Sequence, residues 1–401
     1  MGEFDLIARY FERPVRHAVL GVGDDCALLA PTPGMQLAVS SDMLVEGRHF
    51  FADTDPQRLG HKALAVNLSD LAACGARPLA CTLALALPHI DAAWLDPFAR
   101  GLLALADAHG CELVGGDTTQ GPLNLCITVL GEVPAGQALL RSGARVGDDI
   151  YVSGTLGDAR LALEALQGRI TLAPDILAAT RQRLEAPTPR VALGQALRGV
   201  AHSAIDISDG LLGDLGHILR ASGVGACIDT SITIDLLAAS AGCISATGQF
   251  DAKLSTELRH QCTLAGGDDY ELAFTAPVAR RADVAAAALA SATPVTRIGR
   301  IEAVPGLRLI DAHGQLLAQP HYASFEHFSW ASARLGFAYR HQILTSTLCT
   351  APPTLQATRR PQSPAPACAF SYSTRRTALR WALAVALAAS PPALRARCGA
   401  G

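Results

Sequence analysis

Apolar residues recur at helical spacing at the start of the chain. Phe4, Ile7, Ala8 and Phe11 fall on one side of a helix, and Pro14 follows where the period stops. The pattern therefore predicts a first helix that ends before Pro14.

A longer helical pattern covers residues 56–75. Its apolar residues share one face, and Gly75 with Pro78 ends it. Three polar side chains lie away from that face: Lys62, Asn67 and Asp70. The segment is typical of a long amphipathic helix. Asp70 is unusual there, because aspartate is a poor helix former.

Other apolar patterns predict short strands mixed with helices. We expect strands at 35–43, 80–87, 125–133, 150–153, 204–207 and 271–275. We expect further helices at 94–109, 158–166, 175–184, 191–197 and 211–221. This mixture favours an α+β fold over a doubly wound nucleotide-binding fold.

Length and composition predict two domains and a tail. At 401 residues, half of them hydrophobic, the chain is long enough for about two domains. Glycines cluster in RSGARVGDDIYVSG, so we predict an N-terminal domain at 1–140 and a C-terminal domain at 141–328. Residues 329–401 hold nine arginines but no lysine, aspartate or glutamate. We expect this Arg/Ala/Pro-rich tail to be disordered.

The charge and the apolar runs argue against some classes of partner. A net charge of −3 gives no basic surface for nucleic acid. The longest apolar runs are too short to span a bilayer, and the N-terminus does not resemble a signal peptide. The eleven cysteines contain no CxxC pair. We therefore expect a cytoplasmic protein without nucleic-acid or membrane partners.

Aspartates recur beside apolar segments, at predicted strand ends. They are Asp24 and Asp25 in VGDDCALL, Asp42 in SSDM, Asp117 in GGDTT, Asp206 and Asp209 in IDISDG, and Asp268 and Asp269 in GGDDYE. One such motif alone favours an Asx turn. If they all converge, however, each pair of charges 4 Å apart costs about 4 kcal/mol at an effective dielectric near 20. Such a cluster needs cations, and oxygen ligands without a Cys/His set indicate Mg²⁺.

Several Mg²⁺ ions indicate a polyphosphate ligand, because Mg²⁺ commonly bridges substrate phosphates. The Gly115–Gly116 pair would let backbone amides approach such a phosphate. The chain has no P-loop and no protein-kinase signature, and Ser40, Ser41 and Ser208 lie beside acids, not beside a histidine. This combination favours phosphoryl transfer by positioning and charge neutralisation.

In order along the chain, these motifs resemble the thiamine-monophosphate kinase family. The segments that carry the resemblance are GEFDLIARYF, GVGDDCALL, SSDMLVEGRHF, HKALAVNLSDLAACGARP, VGGDTTQGPL, RSGARVGDDIYVSG, SAIDISDGLLGDLGHI and LAGGDDYELAFT. They run collinearly from residue 2 to about residue 275. The family belongs to a superfamily that includes aminoimidazole ribonucleotide synthetase and selenophosphate synthetase.

The resemblance implies a fold and a reaction. The fold would be a two-domain aminoimidazole ribonucleotide synthetase-like one, with a mixed α/β N-terminal domain that pairs across a homodimer and a C-terminal α/β sandwich. The reaction would be ATP-dependent, Mg²⁺-requiring phosphorylation of thiamine monophosphate to thiamine diphosphate by direct in-line transfer, the final step of thiamine diphosphate biosynthesis.

The resemblance also implies site residues. Metal ligands would be Asp25, Ser40, Ser41, Asp42, Asp70, Asp117, Asp206 and Asp209. The catalytic residues would be Asp42, Asp117 and Asp209. Contacts to ATP would come from Gly116, Asp117, Arg141 and Ser208. Contacts to thiamine monophosphate would come from His49, Asp268 and Phe325.

Three of these residues have simpler explanations, and two depart from the family pattern. His49 could be a histidine on a surface strand, and Arg141 could be a solvated residue of a hinge. Phe325 could simply pack against the end of its domain. Asp268 stands where the family usually has glutamate, and Phe325 where it often has tyrosine or tryptophan. The charge and the aromatic ring are kept, so the departures bear on substrate affinity.

Two other functions remain open on the sequence. One is a different ATP-using activity of the superfamily, like selenophosphate synthetase or a hydrogenase-maturation protein. The former usually carries a reactive residue near the N-terminus, and no cysteine precedes Cys26. The other is a non-catalytic binding module, which predicts loss of the metal-binding acids, and these acids are present.

Overall fold

The structure is a computed structural model that describes residues 2–239, 254–317 and 322. The described residues belong to one compact unit within residues 1–329. Phe325 and the predicted tail at 329–401 lie outside the described residues. Within the described part of the chain, no helix is both long and apolar enough to cross a membrane.

The first half of the chain builds a four-stranded sheet with three helices. Its elements are α1 (Glu3–Tyr10), β1 (Met35–Val45), α2 (Pro56–Ala73), β2 (Arg77–Leu87), α3 (Ala92–His109), β3 (Glu112–Gln120) and β4 (Asn124–Pro134). The strand order is β1-β4-β2-β3. The β2–β3 pair is parallel, and the two pairs that involve β4 are antiparallel.

The second half builds a six-stranded sheet. Its elements are β5 (Asp149–Ser153), α4 (Asp158–Leu166), α5 (Pro174–Glu185), α6 (Val191–Ala196), β6 (Ser203–Ile207), α7 (Leu211–Ser222), β7 (Gly225–Asp229), α8 (Thr230–Thr233), α9 (Thr256–Ala265), β8 (Glu271–Ala276), α10 (Arg281–Ala290), β9 (Val295–Glu302) and β10 (Gly306–Ile310). The strand order is β10-β7-β9-β5-β8-β6, and the β7–β10 pair is parallel. Short 3₁₀ helices follow α8 and precede α10.

Helix α2 lies between these two halves and is buried on most of its surface. It contacts α3, β1 and β4 of the first half, and α6 and β6 of the second. Lys62 and Asn67 are buried along with its leucines. The prediction of an amphipathic helix is therefore wrong for these two residues. Lys62 is buried against Asp268 of the second half, and Asn67 is buried against β1 of the first half.

The predicted α+β class and the predicted elements are confirmed, with differences at particular strands. β3, β7, β9, β10 and the helices α8 to α10 are additional to the sequence pattern. The expectation that Asp42 and Asp117 lie at strand ends is wrong. Asp42 pairs with Ile127 inside β1, and Asp117 pairs with Ala84 inside β3. The predicted boundary near residue 140 remains a prediction; β4 ends before it and β5 begins after it.

Gly116 is required by the packing of β3 on β2. Its φ is 152°, and an added Cβ would lie 1.9 Å from the carbonyl oxygen of Leu83. Gly115 is different, because its Cβ would meet only the Thr82 methyl group at 3.9 Å. The strand pairing therefore supplies a structural reason for glycine at 116 but not at 115.

We expect Gly116→Ala to destabilise the protein by about 2 kcal/mol or more, because the clash is with backbone that cannot turn aside. Gly115→Ala, the matched control, should change the free energy of unfolding by less than about 0.5 kcal/mol. Urea denaturation of both variants measures the difference. Equal stability of the two variants would contradict the packing argument.

Candidate active site

The acids of β1 and α2 meet on one face of the first sheet. Side chains alternate along a strand, so Ser40 and Asp42 share the face that α2 covers. The Ser40 hydroxyl donates to Asp70 Oδ2 over 2.5 Å. The backbone N–H of Asp42 donates to Asn67 Oδ1 over 3.0 Å. Helix α2 therefore holds β1 in place beside Asp70, through the bonds of Ser40 with Asp70 and of Asp42 with Asn67.

The end of β6 brings further acids to the same place. Asp206 is buried, and its Oδ2 accepts a 2.8 Å bond from the hydroxyl of Ser69 on α2. Beyond the strand, Asp214 Oδ2 accepts from the backbone amides of Asp209 and Gly210, each over 3.0 Å. The predicted IDISDG motif is thus a strand end followed by a turn that a carboxylate caps.

The pKa values show that these carboxylates face one another. Burial raises the pKa of Asp42 to about 6, and the charges of Asp70 and Asp209 add to that shift. Burial, with Asp70 next, raises the pKa of Asp206 to about 8. Burial also raises the pKa of Asp70, against the lowering effects of the Ser40 hydrogen bond and of Arg141. The structure therefore brings together Asp42, Asp70, Asp206 and Asp209, as the sequence predicts.

Arg141 lies at the rim of this acid cluster. It lines a cavity of about 510 Å³ together with Ser40, Asp70 and Asp206. Its guanidinium is exposed, yet close enough to lower the pKa of Asp70. A planar cation beside carboxylates at a cavity mouth suits an anionic ligand such as phosphate.

A second cavity contains the other predicted phosphate-site residues. It measures about 570 Å³ and is lined by the turn that carries Asp25, by Gly116 and Asp117 of β3, and by Ile7 and Phe11. The cavity combines an apolar wall with carboxylates and a glycine-bearing strand. Such a combination suits a ligand with both a ring and phosphates.

The two predicted substrate residues within the described chain lie near each other. Lys62 Nζ is 2.7 Å from Asp268 Oδ1 and 3.4 Å from the carbonyl oxygen of His49. The Val45 N–H donates to His49 Nδ1 over 3.0 Å, so the proton of a neutral ring lies on Nε2. Tyr270 donates its hydroxyl to Asp268 Oδ1 over 3.3 Å.

Other predicted site residues are placed differently. The Ser41 hydroxyl donates to the Ile127 carbonyl and bonds to Thr128, on the opposite face of β1 from Asp42. The Ser208 carbonyl accepts from the backbone N–H of Asp268 over 2.8 Å, which ties the two loops together. Phe325 is outside the described residues, so its predicted contact remains a prediction.

Three polar residues of α2 support the site, although the sequence pattern gives them no role: Lys62, Asn67 and Ser69. Each bonds a different predicted site residue. A signal for them exists in HKALAVNLSD, where polar residues occur in a helix that is otherwise apolar. Such residues, once buried, must find polar partners.

The cluster fits Mg²⁺ in its donor chemistry. Within the described ranges, no three His, Cys, Asp or Glu side chains form a ready metal site. Mg²⁺ does not need one, because it usually takes one or two carboxylates and completes its shell with water and substrate phosphates. The mutually raised pKa values of the acids indicate a negative charge that a bound cation would neutralise.

Comparison with known proteins identifies the family of the chain. The family model for AIR synthase related protein, N-terminal domain, matches residues 23–133. A thiamine-monophosphate kinase of Salmonella typhimurium is 47% identical over 315 residues, which cover 77% of this chain and 93% of that protein. The chain belongs to the thiamine-monophosphate kinase family.

Solved structures of the thiamine-monophosphate kinase family share the fold. The enzyme from Stenotrophomonas maltophilia K279a superposes with a TM-score of 0.66 at 45% identity, covering 78% of this chain and 96% of that one. AaThiL, whose structure is of a complex with AMPPCP and TMP, superposes with a TM-score of 0.61 at 28% identity. That match covers 81% of this chain and 96% of AaThiL.

Proposed function

We propose that this protein phosphorylates thiamine monophosphate to thiamine diphosphate with ATP as the phosphate donor. The observation that carries the proposal is the convergence of Asp42, Asp70, Asp206 and Asp209 beside Arg141, in a chain of this family. AaThiL binds AMPPCP, an ATP analogue, together with TMP, which supports the same pair of substrates here.

The reaction needs positioning more than acid–base chemistry. A phosphate oxygen of thiamine monophosphate attacks the γ-phosphorus of ATP; the new P–O bond forms as the bond to the β–γ bridging oxygen breaks, and ADP leaves. The attacking oxygen is largely ionised at neutral pH, so no general base is required. Repulsion between two anions is the main barrier, and the chain must hold them in line against it.

We propose Mg²⁺ as the counterion, held by seven of the eight predicted ligands: Asp25, Ser40, Asp42, Asp70, Asp117, Asp206 and Asp209. Ser41 is left out because its hydroxyl lies on the opposite face of β1 from Asp42. When bound, Mg²⁺ would neutralise phosphate charge and help to orient the phosphates. The chain itself supplies fixed carboxylates, since α2 holds both Asp70 and the strand that carries Asp42.

We propose that ATP lies along the wall that carries Gly116 and Asp117, with Arg141 and Ser208 at its phosphates. The 570 Å³ cavity supplies an apolar surface for the base from Ile7 and Phe11. His49 and Asp268 would then meet thiamine monophosphate from the other side of the acid cluster.

We further propose a homodimer through β1. This strand is an edge of the first sheet, and its exposed face carries Met35, Leu37, Val39 and Met43. An apolar row on an unpaired edge strand suits pairing with a second copy, as the family resemblance implies. We also propose that the chain divides into two domains near residue 140 and that the protein is cytoplasmic.

The direct test incubates the purified protein with ATP and either thiamine monophosphate or free thiamine. We expect thiamine diphosphate from the monophosphate only, with activity lost in EDTA and restored by Mg²⁺. ATP consumption without thiamine diphosphate would instead indicate another activity of the superfamily, and no ATP consumption would indicate a binding module.

A further inference from the structure

Lys62 is a buried cation whose partners belong to the predicted substrate site. Its side chain is 3% exposed and pairs with Asp268, which is 31% exposed. Its second contact is the backbone carbonyl of His49 at 3.4 Å. One ammonium group therefore joins the two residues expected to contact thiamine monophosphate.

The backbone around Asp268 is held in an uncommon conformation. Asp268 has φ 65° and Tyr270 has φ 51°, both in the left-handed region that non-glycine residues seldom adopt. The Asp268 N–H bonds the Ser208 carbonyl and the Tyr270 N–H bonds the Ile207 carbonyl, each over 2.8 Å. Strained residues of this kind persist where the surroundings fix them, and they cluster at functional sites.

The two carboxylate oxygens of Asp268 differ in their contacts with the described residues. Oδ1 accepts from both Lys62 and Tyr270, whereas Oδ2 accepts no hydrogen bond from the described residues. Burial, and then the charge of Asp268, raises the pKa of Tyr270 well above its usual range, so its hydroxyl keeps the proton that it donates. With Oδ1 held by these two donors and the side chain partly exposed, the carboxylate can present Oδ2 to a ligand.

We propose that Lys62 is a positioning residue that aims Asp268 at thiamine monophosphate and links it to His49. The inference rests on the proposed function, because it assumes that Asp268 contacts this substrate. Lys62 acts through Asp268: its ammonium is enclosed by protein oxygens and is buried behind the carboxylate. Asp268 is one methylene shorter than the glutamate usual in the family, so a fixed partner matters for where its oxygen points.

The test compares Lys62→Met with Arg58→Met, using steady-state kinetics on the full chain. Arg58 is the matched control, because it also lies on α2 and pairs with an acid, Glu185, outside the site. We expect Lys62→Met to raise the KM for thiamine monophosphate about 10- to 100-fold, as for other residues that orient a ligand-binding group. The KM for ATP should stay within about threefold, and Arg58→Met should leave both constants near wild type.

A double variant separates positioning from folding. If Lys62 acts through Asp268, then Lys62→Met/Asp268→Asn should have the same KM for thiamine monophosphate as Asp268→Asn alone. The double variant also removes both charges of the ion pair, so it can be compared even if Lys62→Met does not fold.

Two results would overturn the inference while leaving the proposed function intact. One is a Lys62→Met enzyme with wild-type KM for thiamine monophosphate. The other is a double variant whose KM exceeds that of Asp268→Asn by about tenfold or more, because Lys62 would then act independently of Asp268. A wild-type protein that makes no thiamine diphosphate would overturn both proposals together.

Discussion

Asp42→Asn should lower turnover by about 10³-fold, or about 4 kcal/mol of transition-state stabilisation, while leaving the fold intact. The substitution keeps the shape of the side chain and removes its charge. Asp42 lies among acids that already raise its pKa to about 6, with burial as the largest cause. A neutral amide therefore costs the metal-free fold little, but it removes a carboxylate that we propose holds Mg²⁺ against the phosphates.

The structural contacts at this position survive the change. The bond to Asn67 comes from the backbone N–H of Asp42, which the substitution leaves in place. Asp96→Asn on the exposed surface of α3 is a suitable control and should keep full turnover. Thermal melting measures whether each variant keeps its fold, and initial rates measure whether it keeps its turnover. Turnover within a few-fold of wild type for Asp42→Asn would rule out Asp42 as a principal metal ligand.

Glu271→Gln should destabilise the protein by about 3 kcal/mol, the cost of breaking a buried ion pair. Glu271 is fully buried and faces two arginines: Oε1 accepts from Arg183 over 2.8 Å and from Arg190 over 2.5 Å. Oε2 accepts a 2.6 Å bond from the Ser153 hydroxyl. Without the carboxylate, two mostly buried guanidinium groups lose the acid that bonds both of them.

Asp283→Asn is the control for Glu271→Gln, because the ion pair of Asp283 with Arg280 is exposed on both sides. Exposed pairs contribute about 1 kcal/mol or less, so this variant should unfold close to wild type. Urea denaturation gives the free energy of unfolding for each protein. A loss for Glu271→Gln no larger than that of the control would show that the arginines find other partners. The expected loss also bears on the site, since Glu271 directly follows the turn of Asp268 and Tyr270.

The sequence indicates which aspartates could converge, because Asp42, Asp206 and Asp209 stand beside apolar segments and Asp70 is an unusual residue inside a helix. What the sequence leaves out is where along the strand each acid lies. Asp42 and Asp117 sit inside strands, because β4 and β2 continue the pairing past them. The length of a strand depends on the strand with which it pairs, and the local sequence pattern carries no information about that partner.

The supporting residues of α2 illustrate a second limit. Helical periodicity separates leucines from polar residues and predicts one buried face. Other segments cover the polar residues as well: Lys62 is buried and bonds Asp268 of the second half, and Asn67 is buried and bonds Asp42 of β1. The role of Lys62 depends on a contact with Asp268, 206 residues away along the chain, and no local pattern encodes such a contact.

The left-handed turn at Asp268 is a third feature beyond local prediction. Gly266 and Gly267 indicate a turn, yet the residues with positive φ are Asp268 and Tyr270. Added side chains at the glycines would strike the Cys262 and Ser208 carbonyls instead. The glycines are therefore there for close packing, and the hydrogen bonds to Ile207 and Ser208 impose the strain on their neighbours.

Transfer of labelled phosphate from ATP tests the proposed chemistry most directly. Purified protein is incubated with ATP labelled at the γ-phosphate, Mg²⁺ and thiamine monophosphate, and the products are separated. We predict that the label appears in thiamine diphosphate, one label for each ADP formed, and that none stays on the protein. Label released as inorganic phosphate, or retained on the protein, with none in thiamine diphosphate, would contradict direct transfer to this substrate.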